Sequence, residues 1–255
     1  MWGKTALIAL ALASGAFAQE GKQDPKNSEE EKKKEEEAKA KLADFRKELK
    51  TCKKDEDFGR ALEHLGDLQH PKVLAELKSW LGKGSAEVAI AAAEQLGRYK
   101  KEKDAAEALT GAAGSRKEKD AIVKFIRYAG DVGYKPTASK LLGYFRNKEV
   151  DVAKEAIDSC AKLRSRDAID PLISMGRELE SIKDEKDTGG LGGGLGGGLG
   201  GGITGGANND NTLRKKSLLP AAITALEEIS GQKFKTIKDA DQWWRANKGT
   251  FKDPE

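Results

Sequence analysis

A six-residue pattern recurs along this chain at a nearly constant interval, and that interval limits the fold more than any other feature. Ala61-Leu62-Glu63-His64-Leu65-Gly66 aligns with Ala92-Ala93-Glu94-Gln95-Leu96-Gly97, and the same frame takes in residues 125–130, 156–161 and 225–230. The steps between copies are 31, 33, 31 and 69 residues. A period of this size belongs to supersecondary units stacked in a row. The second position (Leu62, Ala93, Ile126, Ile157, Leu226) and the fifth (Leu65, Leu96, Ala129, Cys160, Ile229) are apolar in every copy. Three residues apart, they share one face of a helix. The sixth position holds Gly66, Gly97, Gly130, Ala161 and Ser230. Small residues there are expected where a helix stops and its backbone turns left-handed.

A second apolar helix pattern follows each of the first four copies: Val73, Leu74, Leu77 and Leu81; Ala105, Ala106 and Leu109; Ala138, Leu141, Leu142 and Phe145; Ile169, Leu172 and Ile173. Pro71 and Pro136 stand where the second helices of the first and third units should begin, a place that tolerates a missing N–H. Pro171 and Pro220 are expected in first turns as well. No run alternates with period two over β-branched residues, so strands are not expected. One pair of helices this short cannot bury its own apolar face, and neighbouring pairs must stack. The expected fold is all-α, a solenoid of about five helix pairs.

The long fourth step leaves room for an insertion, and Ser181–Ser217 fits it. Leu-Gly-Gly-Gly occurs there three times from Leu191, with 13 of the chain's 29 Gly inside Gly189–Gly206. Such a composition predicts a flexible linker. The Gly192/Gly194/Gly197 match to a dinucleotide-binding fingerprint lacks the strand and helix that would give it meaning. At the other end, Lys4, an apolar run over Thr5–Leu12, and Ala16-Phe17-Ala18 form a signal-peptide pattern. Residues 1–18 are expected to be removed on export to the periplasm or medium. Residues 19–56 then carry 12 basic and 12 acidic side chains. Ser28 and Glu31 suggest a capping box, and Glu-to-Lys pairs one turn apart support a charged, partly helical leader over about 29–50. Stacked units are expected over 57–180, and a terminal pair with its cap over 218–255.

The segment Ser85–Ala93 and the run Ala92-Ala93-Glu94-Gln95-Leu96-Gly97 resemble HEAT repeats, particularly the short bacterial HEAT-like type. Leu226 to Phe234, with Trp243-Trp244, looks like the end cap of exported members. The resemblance covers about Asp57 to Phe251 outside the Gly tract. It implies a right-handed α-superhelix used as a binding scaffold, and its motifs define a fold rather than a chemistry. One branch of that family attaches bilin chromophores, a cytoplasmic task that suits an exported chain poorly.

Composition argues in the same direction. His64 and His70 are the only imidazoles, six residues apart and off a common helix face, so no metal site is expected. No nucleophile elbow surrounds Ser79 or Ser85. No catalytic residue, cofactor or metal is assigned. Cys160 falls on a core position, and pairing it with Cys52 would require the charged helix to fold back along the stack. Basic clusters at Lys100, Lys101 and Lys103, at Arg116, Lys117 and Lys119, and at Arg214, Lys215 and Lys216 are interleaved with acids in two cases, which disfavours nucleic acid. No run approaches a membrane span. On the second helices, positions flanking the core Leu residues should form a ridge: Ser79, Glu107, Lys140, Tyr144, Asp170 and Ser174, with Ala75 and Gly111 beside them. Its mixed charge suits a protein or peptide partner, whose identity the residues do not give, bound by a monomer. The rival readings are a lyase-like enzyme accessory and a structural module that self-associates through its leader.

Overall fold

The computed structural model describes residues 25–182 and 205–252. The signal-peptide pattern at 1–18 and most of the Gly tract lie outside the described residues. Eleven α-helices and no strand occur among them: α1 (Pro25–Leu49), α2 (Asp55–Gly66), α3 (Pro71–Trp80), α4 (Ala86–Leu96), α5 (Lys103–Ser115), α6 (Lys119–Val132), α7 (Ala138–Leu141), α8 (Val150–Leu163), α9 (Ile169–Ser181), α10 (Gly205–Ser230) and α11 (Ile237–Asn247). They form five successive pairs, α2/α3 through α10/α11. The first helices α2, α4, α6, α8 and α10 pack each on the next, and the second helices form the other layer.

The repeat positions become the core of this stack. All ten residues at the second and fifth positions are at most 2% exposed. Ile126, Ile157 and Leu226, from three different units, belong to one continuous buried cluster. Between them Glu63, His64, Glu94 and Glu228 are exposed, whereas Gln95 and Ser159 are buried, so each first helix keeps only its outer face wet. Pro71 opens α3 and Pro171 lies in the first turn of α9, as their missing donors require. The third unit departs from the regular pair. Its second helix breaks into a 3-10 turn at Lys135–Thr137, one α-turn, and another 3-10 turn at Leu142–Tyr144. Pro136 removes a donor, while Thr137, Ser139 and Gly143 are poor helix formers, so the tighter spiral persists.

Small residues at the sixth position have a different cause from the one the helix stop suggested. Gly97 has φ −61°, and neither Gly66 nor Gly130 is among the left-handed residues. What forbids a side chain is the next unit. A Cβ on Gly66 would lie 2.7 Å from the Cβ of Gln95, and one on Gly130 would lie 2.8 Å from the Cβ of Ser159. On Gly97 it would meet the Tyr128 side chain at 3.1 Å. Gln95, Tyr128 and Ser159 all occupy the fourth position of the following copy. The first three units thus receive the next unit's fourth side chain on their own sixth residue, and this contact sets the distance between those first helices.

Both ends differ from the sequence expectation. The charged leader is a helix, but it begins at Pro25, so Ser28 lies within its first turn rather than at the cap. It is also docked: Ala38 and Phe45 are buried, with Leu42 and Leu49 packed against the core. Spaced four, three and four residues apart, they make a narrow stripe that lies on α2 and α3. Phe45 meets Trp80 edge-on with ring centres 5.9 Å apart, and Phe58 packs on the same indole. The expected flexible insertion ends earlier than Ser217, because α10 starts at Gly205 and runs through Pro220. Pro220 is therefore interior to a helix, not in a first turn.

Candidate partner-binding face

The six ridge residues follow one another along the second-helix layer, but the fold already uses several of them. Ser79, on α3, is half-buried and accepts a hydrogen bond from Lys83 Nζ (3.0 Å). Glu107 and Lys140 face each other across α5 and α7 at 4.0 Å. Tyr144 sits in the 3-10 turn after α7, with its hydroxyl against Gly114, and burial raises its phenol above the usual range. Ser174 is exposed on α9 and hydrogen-bonds Glu178, the partner of Arg146. Asp170 is committed most heavily. Trp244 Nε1–H and Lys248 Nζ each donate to its carboxylate at 2.8 Å. Partial burial alone would raise that carboxyl, but these donors and the charges of Lys248 and Arg166 hold it below the ordinary aspartate value. Asp170 is an anchor for α11 rather than a free contact.

Charge pairs across neighbouring units recur in both layers. Lys78 pairs with Asp104 (3.1 Å) and Lys72 with Glu35 of α1 (2.8 Å) on one side. Lys119 with Asp151 (2.9 Å), Arg127 with Glu155 (2.6 Å) and Lys162 with Asp131 (2.7 Å) join α6 to α8 on the other. Most of these groups are solvated, so each pair adds little stability. Together they neutralise much of the surface and leave the mixed charge that suits a protein surface.

Each of the three basic clusters holds a structural cation. Lys100 Nζ donates to the Asp131 carbonyl at the end of α6 (2.7 Å). Arg116 Nε and Nη2 donate to the Leu81 carbonyl beyond α3 at 3.2 and 3.1 Å. Arg214 reaches the carbonyls of Phe145 and Asn147 at 3.0 and 2.6 Å. Arg166 similarly clamps the carbonyls of Lys248 and Phe251. Helix C-termini leave carbonyls without partners, and a cation satisfies both their hydrogen bonds and the local dipole. For Lys100, Arg116 and Arg166 a cation just beyond a helix is the signal sequence offers, while Arg214 lies inside α10; which distant helix each serves is not legible.

Two shallow grooves open between second helices. One of about 370 Å³ includes Leu74, Ala75 and Lys78 of α3 with Tyr99 and Asp104. The other, about 300 Å³, lies between Leu142, Phe145 and Arg146 on one side and Pro171, Ser174 and Met175 on the other. His70 and Glu102 also line the first groove, and each is engaged in capping a helix. His70 caps α3, its Nδ1 accepting from the Lys72 amide at 3.2 Å, and His64 Nδ1 lies 3.2 Å from Glu48 of α1. Among the described residues no cluster of metal-ligating side chains occurs, and no helix is long and apolar enough to cross a membrane.

Residues 42–127 match the family model of HEAT repeats. The match starts inside α1, in keeping with the docking of that helix onto the first pair, and ends in α6. No curated protein matches the chain. The same pairing of helices and the same core positions continue through α8–α11, so the likeness to HEAT repeats extends in the fold beyond the matched residues.

Proposed function

We propose that this chain is a non-enzymatic protein-binding scaffold or assembly factor, exported through its N-terminal signal and acting in the cell envelope. HEAT repeats generally mediate protein interactions, and a stack of preformed helices offers a partner a surface that needs little ordering on binding. The observation that carries the reading is the second-helix layer, with shallow grooves between charge-paired ridges. Lys4, Thr5–Leu12 and Ala16-Phe17-Ala18 support export. Crosslinking in intact cells, followed by mass spectrometry of the captured species, tests it. A reproducible envelope protein is expected; its absence across repeated captures sinks the scaffold.

A further inference from the structure

The repeat supplies its own control for one unusual choice of residue. The turn joining first to second helix contains a single left-handed residue in four of the five units: Lys101 (φ +57°), Gly133 (+76°), Arg164 (+48°) and Gly231 (+70°). Glycine adopts this conformation without steric cost, whereas a long side chain is strained there. Two units carry glycine, as the backbone prefers. The other two carry cations.

Capping does not account for them. Lys100 clamps the Asp131 carbonyl from an ordinary backbone conformation, so a left-handed residue is not needed for that task. The side chains of Lys101 and Arg164 are exposed and have no ion-pair or hydrogen-bond partner among the described residues, in contrast to the charge pairs on both helix layers. They lie on one edge, on either side of the third unit. The Lys101 amide donates to the Val132 carbonyl (2.6 Å), and Lys162 Nζ donates to Asp131 Oδ1 (2.7 Å). The second unit's turn and the last turn of α8 therefore both reach the end of α6, with Lys101 on one side and Arg164, which follows α8, on the other. Lys103, also exposed and unpaired among the described residues, adds a third cation beside Lys101.

We propose that this edge is an interaction surface for an acidic protein segment, with Lys101, Lys103 and Arg164 as its contacts. The inference rests on the scaffold reading and gives it a partner chemistry and a face distinct from the second-helix ridge. The occupant is a protein because acids interrupt the track. Asp131 is neutralised by Lys162, Glu102 accepts the Asp104 amide, and Asp167 follows in the fourth turn. Carboxylates grouped on a peptide can contact the cations alone, whereas an unbroken run of phosphates also meets the acids between them.

The test uses the full chain and a fluorescein-labelled oligoglutamate peptide, with binding read by anisotropy at low salt. The pair Lys101→Gln and Arg164→Gln keeps the backbone strain and removes the charge; it is expected to weaken binding about tenfold. The pair Lys101→Gly and Arg164→Gly is expected to lose as much while melting no lower than the parent, because relief of strain offsets the greater freedom of the unfolded chain. Lys117→Gln with Lys148→Gln, on turns of the opposite edge, changes net charge equally and is expected to leave binding intact. No binding by the parent, equal losses in both Gln pairs, or tighter binding of a single-stranded oligonucleotide overturns the proposal. Capture of an envelope partner that survives the Lys101/Arg164 Gln pair leaves the scaffold standing and removes this edge. Edge-selective peptide binding with no captured partner does the reverse.

Discussion

At the scale of single residues, the same amino acid answers to opposite requirements along one chain. Gly130 faces Ser159 so closely that a methyl group would overlap its Cβ and approach its backbone Cα at 3.1 Å. Gly130→Ala is expected to destabilise the protein by about 2 kcal/mol through overpacking, read as a lower midpoint in urea denaturation. Gly111 lies in α5 with open space around it. There Gly111→Ala is expected to stabilise by about 0.5–1 kcal/mol, since only helix propensity is at stake. A common sign for both variants would contradict the close approach. The two cysteines divide similarly. Burial pushes the Cys160 thiol up to about 12, whereas Cys52 is half-buried near the end of α1. Both are free. A disulfide-exchange reagent at pH 8 is expected to titrate Cys52 in the folded protein and to reach Cys160 only after denaturation.

Among the elements, α1 is the one whose role the folded stack decided. A helix with a single apolar stripe has little of its own to hold it, yet Phe45 is 3% exposed against the Phe58/Trp80 pair. Phe45→Ala is expected to cost about 3 kcal/mol and to shift Trp80 emission to the red as the indole gains water. Docking also depends on acid. Hydrogen bonds from Lys72 and Lys39, reinforced by their charges, lower the Glu35 carboxyl from its ordinary 4.5 to about 2. A group depressed in the folded state stabilises it above its unfolded value, and that contribution fades as pH falls through the folded one. The Trp80 signal is therefore expected to change between about pH 5 and pH 2, and Glu35→Gln to remove that part of the titration. The effect is small because the group is solvated. A titration identical in parent and variant would exclude the Lys72 contact.

The whole molecule is a row of units closed at both ends. At one end α1 covers the first pair with its apolar stripe inward and its charges outward. At the other, Trp244 is buried beneath Phe251, Arg166 and Lys248, and Asp170 holds its ring nitrogen. Open solenoid ends are sticky, and polar caps prevent end-to-end growth. The full chain is accordingly expected to sediment as a monomer, whereas removal of residues up to Lys54 should expose Phe58 and Trp80 and drive self-association. A monomeric truncation would deny α1 its capping role. This arrangement also weighs against self-association through the leader, because the stripe that would mediate it is already used.

Sequence by itself determined the all-helical units, their period and their buried stripes. Those features arise from neighbours three or four residues apart, and a helix turns every such stretch into a face whatever surrounds it. Leu62, Ile126 and Cys160 could be assigned to the core on that ground alone. Tertiary structure decided what passes between units. It set Gln95 over Gly66, committed Asp170 to Trp244, sent Arg214 to the carbonyls of the third unit, and folded the leader onto the first pair. Contacts of this kind join residues roughly thirty to seventy positions apart, and they follow from the rotation and spacing of one helix pair on the next. No local pattern encodes that rotation, because it emerges only when the side chains of two units are packed against each other.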